Sequence, residues 1–203
     1  MSKSEPVLRI VLVCGPTGCG KSTYVADNLL AQAYDVVGLY QFQEPSSYPE
    51  RIPSGLMLFL SHAFFEWELL RSAERAYLME AGMRDLMGGE GREPELVVAE
   101  GTFMKAARRA PILQTLKKLT SRGACTVECV CVINDRADER ARGQMEIPTV
   151  EEGFDSVTLV GDFELKRPLE ELSRLVEAQK ARDRVTEKGY FAGCGEGERE
   201  NGR

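Results

Sequence analysis

Residues 15–22 read Gly15-Pro16-Thr17-Gly18-Cys19-Gly20-Lys21-Ser22, and Thr23 follows. The string meets the pattern G-x-x-x-x-G-K-[ST] at every fixed position. An apolar run from Val7 to Cys14, broken only by Arg9, precedes it and reads as a buried strand. Lys21 to Gln32 follows with neither Gly nor Pro and reads as a helix. Strand, glycine loop and helix in that order is the setting in which the pattern has physical meaning. Gly15, Gly18 and Gly20 lack a Cβ, so the loop can take left-handed dihedrals and turn its N–H groups inward. The helix start adds the positive end of its dipole. Lys21 offers a mobile ammonium group to β- and γ-phosphate oxygens, and the Ser22 hydroxyl is placed for Mg2+. A plain glycine turn has no use for Lys-Ser at a helix start, where the dipole disfavours a cation. Residues 15–23 therefore predict binding of a nucleoside triphosphate, ATP with Mg2+.

Composition sets the frame around that loop. The chain has 203 residues, 43% hydrophobic and 29% charged, which suits one soluble domain with a proper core. A formal net charge of −6 argues against coating nucleic acid by bulk electrostatics, though not against a local basic cleft. No apolar stretch is long enough to span a bilayer, and residues 1–6 carry no signal-peptide core, so a cytoplasmic protein without membrane partners is expected. None of the six cysteines, Cys14, Cys19, Cys125, Cys129, Cys131 and Cys194, forms a C-x-x-C pair, and there is one histidine, which disfavours structural zinc. Cys125, Cys129 and Cys131 fall on one face of a predicted strand and read as small core hydrophobes. Cys19 lies within the loop, and modification of its thiol is expected to block nucleotide binding.

The rest of the chain alternates strands and helices. Strands are expected at Val7–Cys14, Asp35–Gln41, Glu95–Glu100, Cys125–Ile133 and Ser156–Val160. Helices are expected at Lys21–Gln32, Leu56–Met87, Lys105–Thr120, Asp135–Arg142 and Pro168–Arg182. Alternation implies a parallel sheet covered on both faces, with the ligand at the carboxyl ends of the strands. In the long helix, Leu56, Leu60, Phe64, Trp67, Leu70 and Tyr77 recur at helical steps and predict the buried stripe, with a bend at Gly82. Residues 1–6 read as an extension, 7–183 as the domain, and the Gly/Glu-rich 184–203 as a disordered tail.

Two further segments carry chemistry. Leu96-Val97-Val98-Ala99 ends in Glu100-Gly101-Thr102, a carboxylate at a central strand end that can serve Mg2+ or act as a base. The segment Asn134–Gly143 holds Arg136 and Arg140 on one helical face, with Arg142 off it. Such arginines can stabilise charge on the transferring phosphoryl group, and a mobile arginine segment can exclude water. A solvated helix, its arginines paired with Asp138 and Glu139, is the competing reading. Lys105, Arg108 and Arg109 can meet an acceptor phosphate or a nucleic-acid backbone, or simply face solvent. Phe154 reads as core. His62 and Glu66, four apart on the long helix, read as packing and stay outside the site.

With those residues in place, the chain resembles P-loop kinases of the nucleoside and nucleotide type over residues 7–182. The resemblance rests on GPTGCGKST at Gly15–Thr23, VVAEGT at Val97–Thr102 and the arginine segment Arg136–Arg142. It implies a three-layer P-loop NTPase fold, α/β, with a parallel five-stranded sheet and a short helical lid. It also implies phosphate transfer from ATP to a hydroxyl acceptor. Catalytic roles fall on Lys21, Glu100, Arg136 and Arg140, nucleotide contacts on Gly15, Pro16, Thr17, Gly18, Cys19, Gly20, Lys21, Ser22 and Thr23, and Mg2+ on Ser22 and Glu100. Pro148–Asp155, P-T-V-E-E-G-F-D, is similar to the P-T-x-x-E-G-F segment of polynucleotide 5′-hydroxyl kinases. The Glu-Gly strand end and the arginine spacing are similar to uridine-kinase-like enzymes. The aspartate that polynucleotide kinases carry after their second strand is missing, since Gln41-Phe42-Gln43-Glu44 stands there, so Glu44 or Glu100 is left for the role.

The acceptor is thus a nucleic-acid 5′ end or a small molecule, and the oligomeric state is not given. A GTPase switch is disfavoured because no N-K-x-D is present, and Asp85-Leu86-Met87-Gly88 closes a helix rather than a strand. An ATP-binding fold without turnover is the third class.

Overall fold

The structure, a computed structural model, describes residues 6–42, 54–88, 91–120 and 125–192. Five strands, β1 (Leu8–Cys14), β2 (Ala33–Gly38), β3 (Glu95–Glu100), β4 (Cys125–Val132) and β5 (Ser156–Val160), form one parallel sheet in the order β2-β3-β1-β4-β5. Five helices accompany them: α1 (Lys21–Asn28), α2 (Ser54–Met87), α3 (Ala106–Thr120), α4 (Glu139–Gly143) and α5 (Leu169–Ala192). The α/β fold with a parallel five-stranded sheet expected from the sequence is the one observed.

Because β1 lies at the middle of the sheet, both of its faces are buried, which is why it reads as a nearly unbroken apolar run. Leu8, Ile10, Leu12 and Cys14 pack with Phe65 and Leu69 of α2 and with Ile112 and Leu116 of α3. Val11 and Val13 pack on the opposite face with Val25 of α1. Arg9, the one charge in the run, points its guanidinium to Glu128 of β4 (Nε–Oε1 2.7 Å). Cys125, Cys129 and Cys131 join Cys14 in the α2/α3 layer, the shared face predicted for them. Phe154 is likewise core.

Several boundaries differ from expectation, each because tertiary pairing overrides a sequence without breakers. Helix α1 stops at Asn28, four residues short of Gln32. The N–H groups of Leu29 and Leu30 both donate to Val25 O, which closes the helix so that Ala33 can enter the sheet opposite Leu96. Strand β2 ends at Gly38 rather than Gln41, and Leu39–Phe42 is a 3₁₀ turn. Asp138 accepts from the N–H groups of Arg140 (2.6 Å) and Ala141 (3.4 Å), so it caps α4, which begins later than Asp135. Helix α5 runs past Arg182 to Ala192. Residues 184–192 are therefore helix rather than tail, and 193–203 lie outside the described residues.

The correction in α2 has consequences. Its buried stripe runs through Ser61, Phe65, Leu69, Ser72, Ala76 and Glu80, whereas Phe64 and Trp67 are exposed and Leu70 and Tyr77 only partly buried. Leu56 and Leu60 fall among residues whose side chains are not described. Small side chains let the helix lie close to the sheet, so size alone misidentifies the inner face. The helix also continues through Gly82 and ends at Gly88, whose φ is +84°.

Near the end of α2, Glu80 is 1% exposed and takes the guanidinium groups of Arg92 (Oε2, 2.8 Å) and Arg84 (Oε1, 3.0 Å). Arg84 also donates to the carbonyls of Pro6 and Arg92. One buried carboxylate thus gathers the helix end, the chain start and the approach to β3. The Arg92 hydrogen bond, reinforced by Arg84, holds the Glu80 carboxyl far below its ordinary 4.5, at about 2. A depressed folded-state pKa contributes stability above the unfolded value and loses it as pH falls. Thermal melts from pH 5 to pH 2 are expected to show Tm falling more steeply for the wild type than for Glu80→Gln, which has no carboxylate to titrate there.

Candidate active site

The loop between β1 and α1 is shaped by the strands beside it. Gly15 N donates to Thr102 O just past β3 (3.2 Å). A methyl group on Gly15 would collide with the Val132 carbonyl at the end of β4, and its φ of +146° excludes ordinary side chains besides. Gly18 (φ +84°) passes the Arg136 carbonyl, and Gly20 (φ +88°) is the N-cap of α1. Gly20 has no side chain to cap with, so the first-turn N–H groups of α1 lack both intrahelical and side-chain acceptors. Cys19 turns the other way. Its thiol is buried under the loop, while its carbonyl accepts from Asn134 Nδ2 at 2.8 Å. Burial, only partly offset by Lys21, raises the Cys19 thiol above its usual range.

Above the loop lies a cleft of about 440 Å³. Its walls are Thr17, Gly18, Gly20, Lys21, Ser22 and Thr23 on one side, Glu100, Gly101 and Thr102 after β3, Leu39 and Tyr40 after β2, and Lys180 of α5. It therefore opens between β1 and β3, where the strand order reverses, as the general rule for open parallel sheets requires. Lys21 Nζ donates to Pro16 O at 2.8 Å, so its ammonium group closes the loop. Ser22 Oγ donates to Glu100 Oε1 at 2.6 Å. A hydroxyl and a carboxylate converge there, a hard oxygen donor pair that suits Mg2+, which binds through one or two carboxylates with phosphate and water oxygens. No group of three or more His, Cys, Asp or Glu side chains placed to hold a metal ion is found among the described residues.

The structure brings Lys21, Ser22, Thr23 and Glu100 together on the lining of the cleft, with Gly15 and Pro16 buried beneath. It leaves Arg136 and Arg140 exposed and outside the lining of the cleft. The chain entering α4 is held by Asn134, whose Oδ1 accepts from Arg136 N (3.1 Å), and Asp135 pairs with Arg142. Asn134, Tyr40, Thr102 and Lys180 were not singled out from the sequence. Only Asn134 left a signal there, as a polar residue closing a buried strand.

Two expectations about the acceptor side change. Arg109 is fully buried and reaches neither solvent nor the cleft. It donates to both Glu152 oxygens at 2.7 Å and to Phe103 O at 2.9 Å. Burial is the largest influence and opposes its charge, but the Glu152 hydrogen bond and the charge of that carboxylate together overcome it and raise the Arg109 pKa. Lys105 is paired with Glu146 at 3.1 Å. The segment Pro148–Asp155, which carries the polynucleotide-kinase likeness, is consequently a structural fastening. Glu152 grips Arg109, Phe154 fills the core, and Asp155 Oδ2 accepts from Val127 N at 2.7 Å. The clamp also restrains Phe103, whose φ is +29° and whose ring packs on Phe65. The loop presenting Gly101 and Thr102 is thereby held in place. His62 meets the edge of Phe103, its pKa lowered by burial and by Arg108, and burial raises Glu66; both lie outside the cleft. Glu44 falls outside the described residues.

No protein-family model matches the chain, and no curated protein matches it. Among solved structures it is similar to a gluconokinase from Sinorhizobium meliloti (16% identity over 92% of this chain and 98% of that one, TM-score 0.42). It is also similar to a sugar kinase from Janibacter sp. (13% identity over 84% and 91%, TM-score 0.41). Neither is described as a polynucleotide kinase. These likenesses are distant, and the geometry of the site carries the functional reading. No helix among the described residues is long and apolar enough to cross a membrane.

Two measurements check this geometry. Arg109→Met leaves the partly buried Glu152 and the Phe103 carbonyl without their partner and is expected to cost about 2 kcal/mol, lowering Tm by about 4–8 °C, whereas Arg108→Met on the exposed face is expected to stay within about 0.5 kcal/mol of wild type. Cys19 is expected to resist iodoacetamide in the native protein and to react after unfolding, as read by peptide mass mapping.

Proposed function

We propose that the chain is an ATP-dependent kinase whose acceptor is a hydroxyl group of a small molecule. The observation that carries this reading is the uncapped first turn of α1, which faces the cleft together with Lys21 and the Ser22–Glu100 pair. Free N–H groups at a helix start, one mobile ammonium group and a paired hydroxyl and carboxylate make up a receptor for a polyphosphate with its metal. The amides of residues 18–23 bind the phosphates. Lys21 exchanges its Pro16 carbonyl for a phosphate oxygen and stabilises charge at the transferring group. Ser22 and Glu100 would hold Mg2+, which when bound neutralises charge on the β- and γ-phosphate oxygens. Arg136 and Arg140 belong to a lid that closes over the nucleotide and excludes water. Tyr40 and Thr102, which line the same cleft, would meet the acceptor.

A small acceptor is favoured over a polynucleotide end by where the cations are spent. Of the three basic residues that follow β3, Arg109 is buried against Glu152 and Lys105 is paired with Glu146, which leaves only Arg108 for a phosphate backbone. A chain of net charge −6 supplies no compensating field.

The test incubates the protein with labelled ATP and Mg2+ against a panel of sugars and polyols, nucleosides, and a 5′-hydroxyl oligonucleotide. Label is expected on a sugar, polyol or nucleoside. Lys21→Ala is expected to reduce transfer by about 100- to 1,000-fold. Label confined to the oligonucleotide would overturn the small-acceptor reading, and ATP binding by calorimetry without transfer to any acceptor would identify a fold that binds without turnover.

A further inference from the structure

Helix α5 turns one face toward the rest of the chain, and that face ends in a charge. Leu172 is buried and Leu175, Val176, Gln179 and Lys180 are half-buried, whereas Arg174, Glu177 and Ala181 are exposed. The inward positions fall at i, i+3, i+4, i+7 and i+8, the spacing of a helix stripe that faces a core. The helix meets α1 and the 3₁₀ turn Leu39–Phe42. Val176 and Gln179 line a water-sized space of about 20 Å³ under the cleft, which they share with Ser22, Tyr40 and Glu100. Lys180, the next residue of the stripe, lines the cleft itself. It is the one charge among those five positions. Lysine is rarely placed on an inward face without a partner there.

We propose that Lys180 recognises an anion in the cleft, so that the hydroxyl acceptor carries a carboxylate or phosphate group apart from the hydroxyl that is phosphorylated. This rests on the kinase reading above and narrows its acceptor class. Among the described residues that line the cleft, Lys21 and Lys180 are the cations and Glu100 the carboxylate. Lys21 belongs to the glycine loop and serves the nucleotide. Lys180 arrives from another direction. The arginines of α4 follow β4, on one flank of β1, whereas α5 reaches the turn after β2, on the other flank. Lys180 therefore stands with Tyr40 on the wall that the nucleotide leaves to its acceptor. The Tyr40 ring folds back over Gly38 so closely that a Cβ there would collide with it, and Gly38 pairs with Glu100 in the sheet, which sets ring and carboxylate side by side. In this structure Lys180 is paired with Glu177, three residues back, at 3.0 Å. Glu177 is 71% exposed and lies outside the cleft lining, and a pair so open to water contributes little. An anionic group inside the cleft, with less water around it, is the stronger partner.

The test uses the full chain and matched probes: glycerol, glycerate and glycerol 3-phosphate, then glucose, glucuronate and glucose 6-phosphate. Calorimetry with Mg2+ and a non-hydrolysable ATP analogue reads binding, labelled ATP reads transfer, and circular dichroism controls for folding. In at least one set, the acid or the phosphate is expected to bind about 10- to 100-fold more tightly than the neutral member, and the two arms tell which anion the site takes. Lys180→Met is expected to erase that difference while its affinity for the ATP analogue stays within about twofold of wild type. Lys180→Arg is expected to keep most of the preference. Glu177→Gln, which removes the present partner and leaves the cation, is expected to preserve it, as a merely structural ion pair would not. Anion binding that depends on Lys180 but leads to no transfer would uphold the subsite and overturn the kinase reading. A panel in which no anion is bound better than its neutral counterpart, a preference unchanged in Lys180→Met, or an ATP-analogue affinity lowered about tenfold by that variant would each overturn the proposal.

Discussion

The constraint on which the rest depends is the turn that carries the chain from β1 into α1 across the ends of its two neighbours. Gly15 passes so close to the Val132 carbonyl that no side chain fits, and its amide is held by the Thr102 carbonyl. Asn134 holds the far side of the loop through the Cys19 carbonyl. The loop is thus shaped by β3 and β4 at once, and it exists in this form only because the sheet order places β1 between them. Left-handed glycines make the turn possible, and the strand order makes it necessary. The helix start that results has no cap of its own, which leaves its donors directed at whatever enters the cleft.

Around this turn, two buried ionic groups do what apolar packing cannot. A hydrophobic core holds layers at a distance but does not orient a loop. Arg109 sends its planar guanidinium to Glu152 and to the Phe103 carbonyl, which joins the start of α3, the loop after β3 and the approach to β5 at one point. Glu80 takes Arg84 and Arg92 at the opposite end of the sheet, and Arg84 carries the link on to the Pro6 carbonyl. Each charge is costly to bury, and each is retained with nearly every donor or acceptor used. The thiols follow the opposite logic. Cys14, Cys129 and Cys131 pack into one apolar layer; their hydrogen bonding to one another and their burial raise the thiols of Cys14 and Cys131 far above the range in which a thiolate forms.

Much of the fold and the glycine-loop side of the cleft could be read from the linear chain, because both follow from short-range pattern. A buried central strand is an apolar run, and β3 and β5 begin and end where their flanking residues indicate. The loop motif needs only its own residues and the helix after it, so Lys21 and Ser22 could be assigned roles without any neighbour. Glu100 was found by its place at a strand end, and the structure adds the hydrogen bond from Ser22 that joins the two. The opposite wall of the cleft was not legible in the same way. Tyr40 and Lys180 reach the cleft from a 3₁₀ turn and a C-terminal helix, and nothing local in either segment announces it.

Arg109 and Trp67 show where the divide falls. In the sequence, Arg109 is one of three basic residues on a helix and Trp67 one of several large apolar residues on another; pattern assigns the first to a surface and the second to the core. The structure reverses both. By itself, the sequence determined which segments are strand or helix and which loop carries left-handed glycines into a helix, since these depend on residue period and backbone freedom over a few positions. Only the tertiary structure decided which charge is buried and which aromatic ring faces water. Those outcomes depend on what another segment, distant in the chain, brings to each side chain: Glu152 meets the arginine, whereas the tryptophan keeps half of its surface in water.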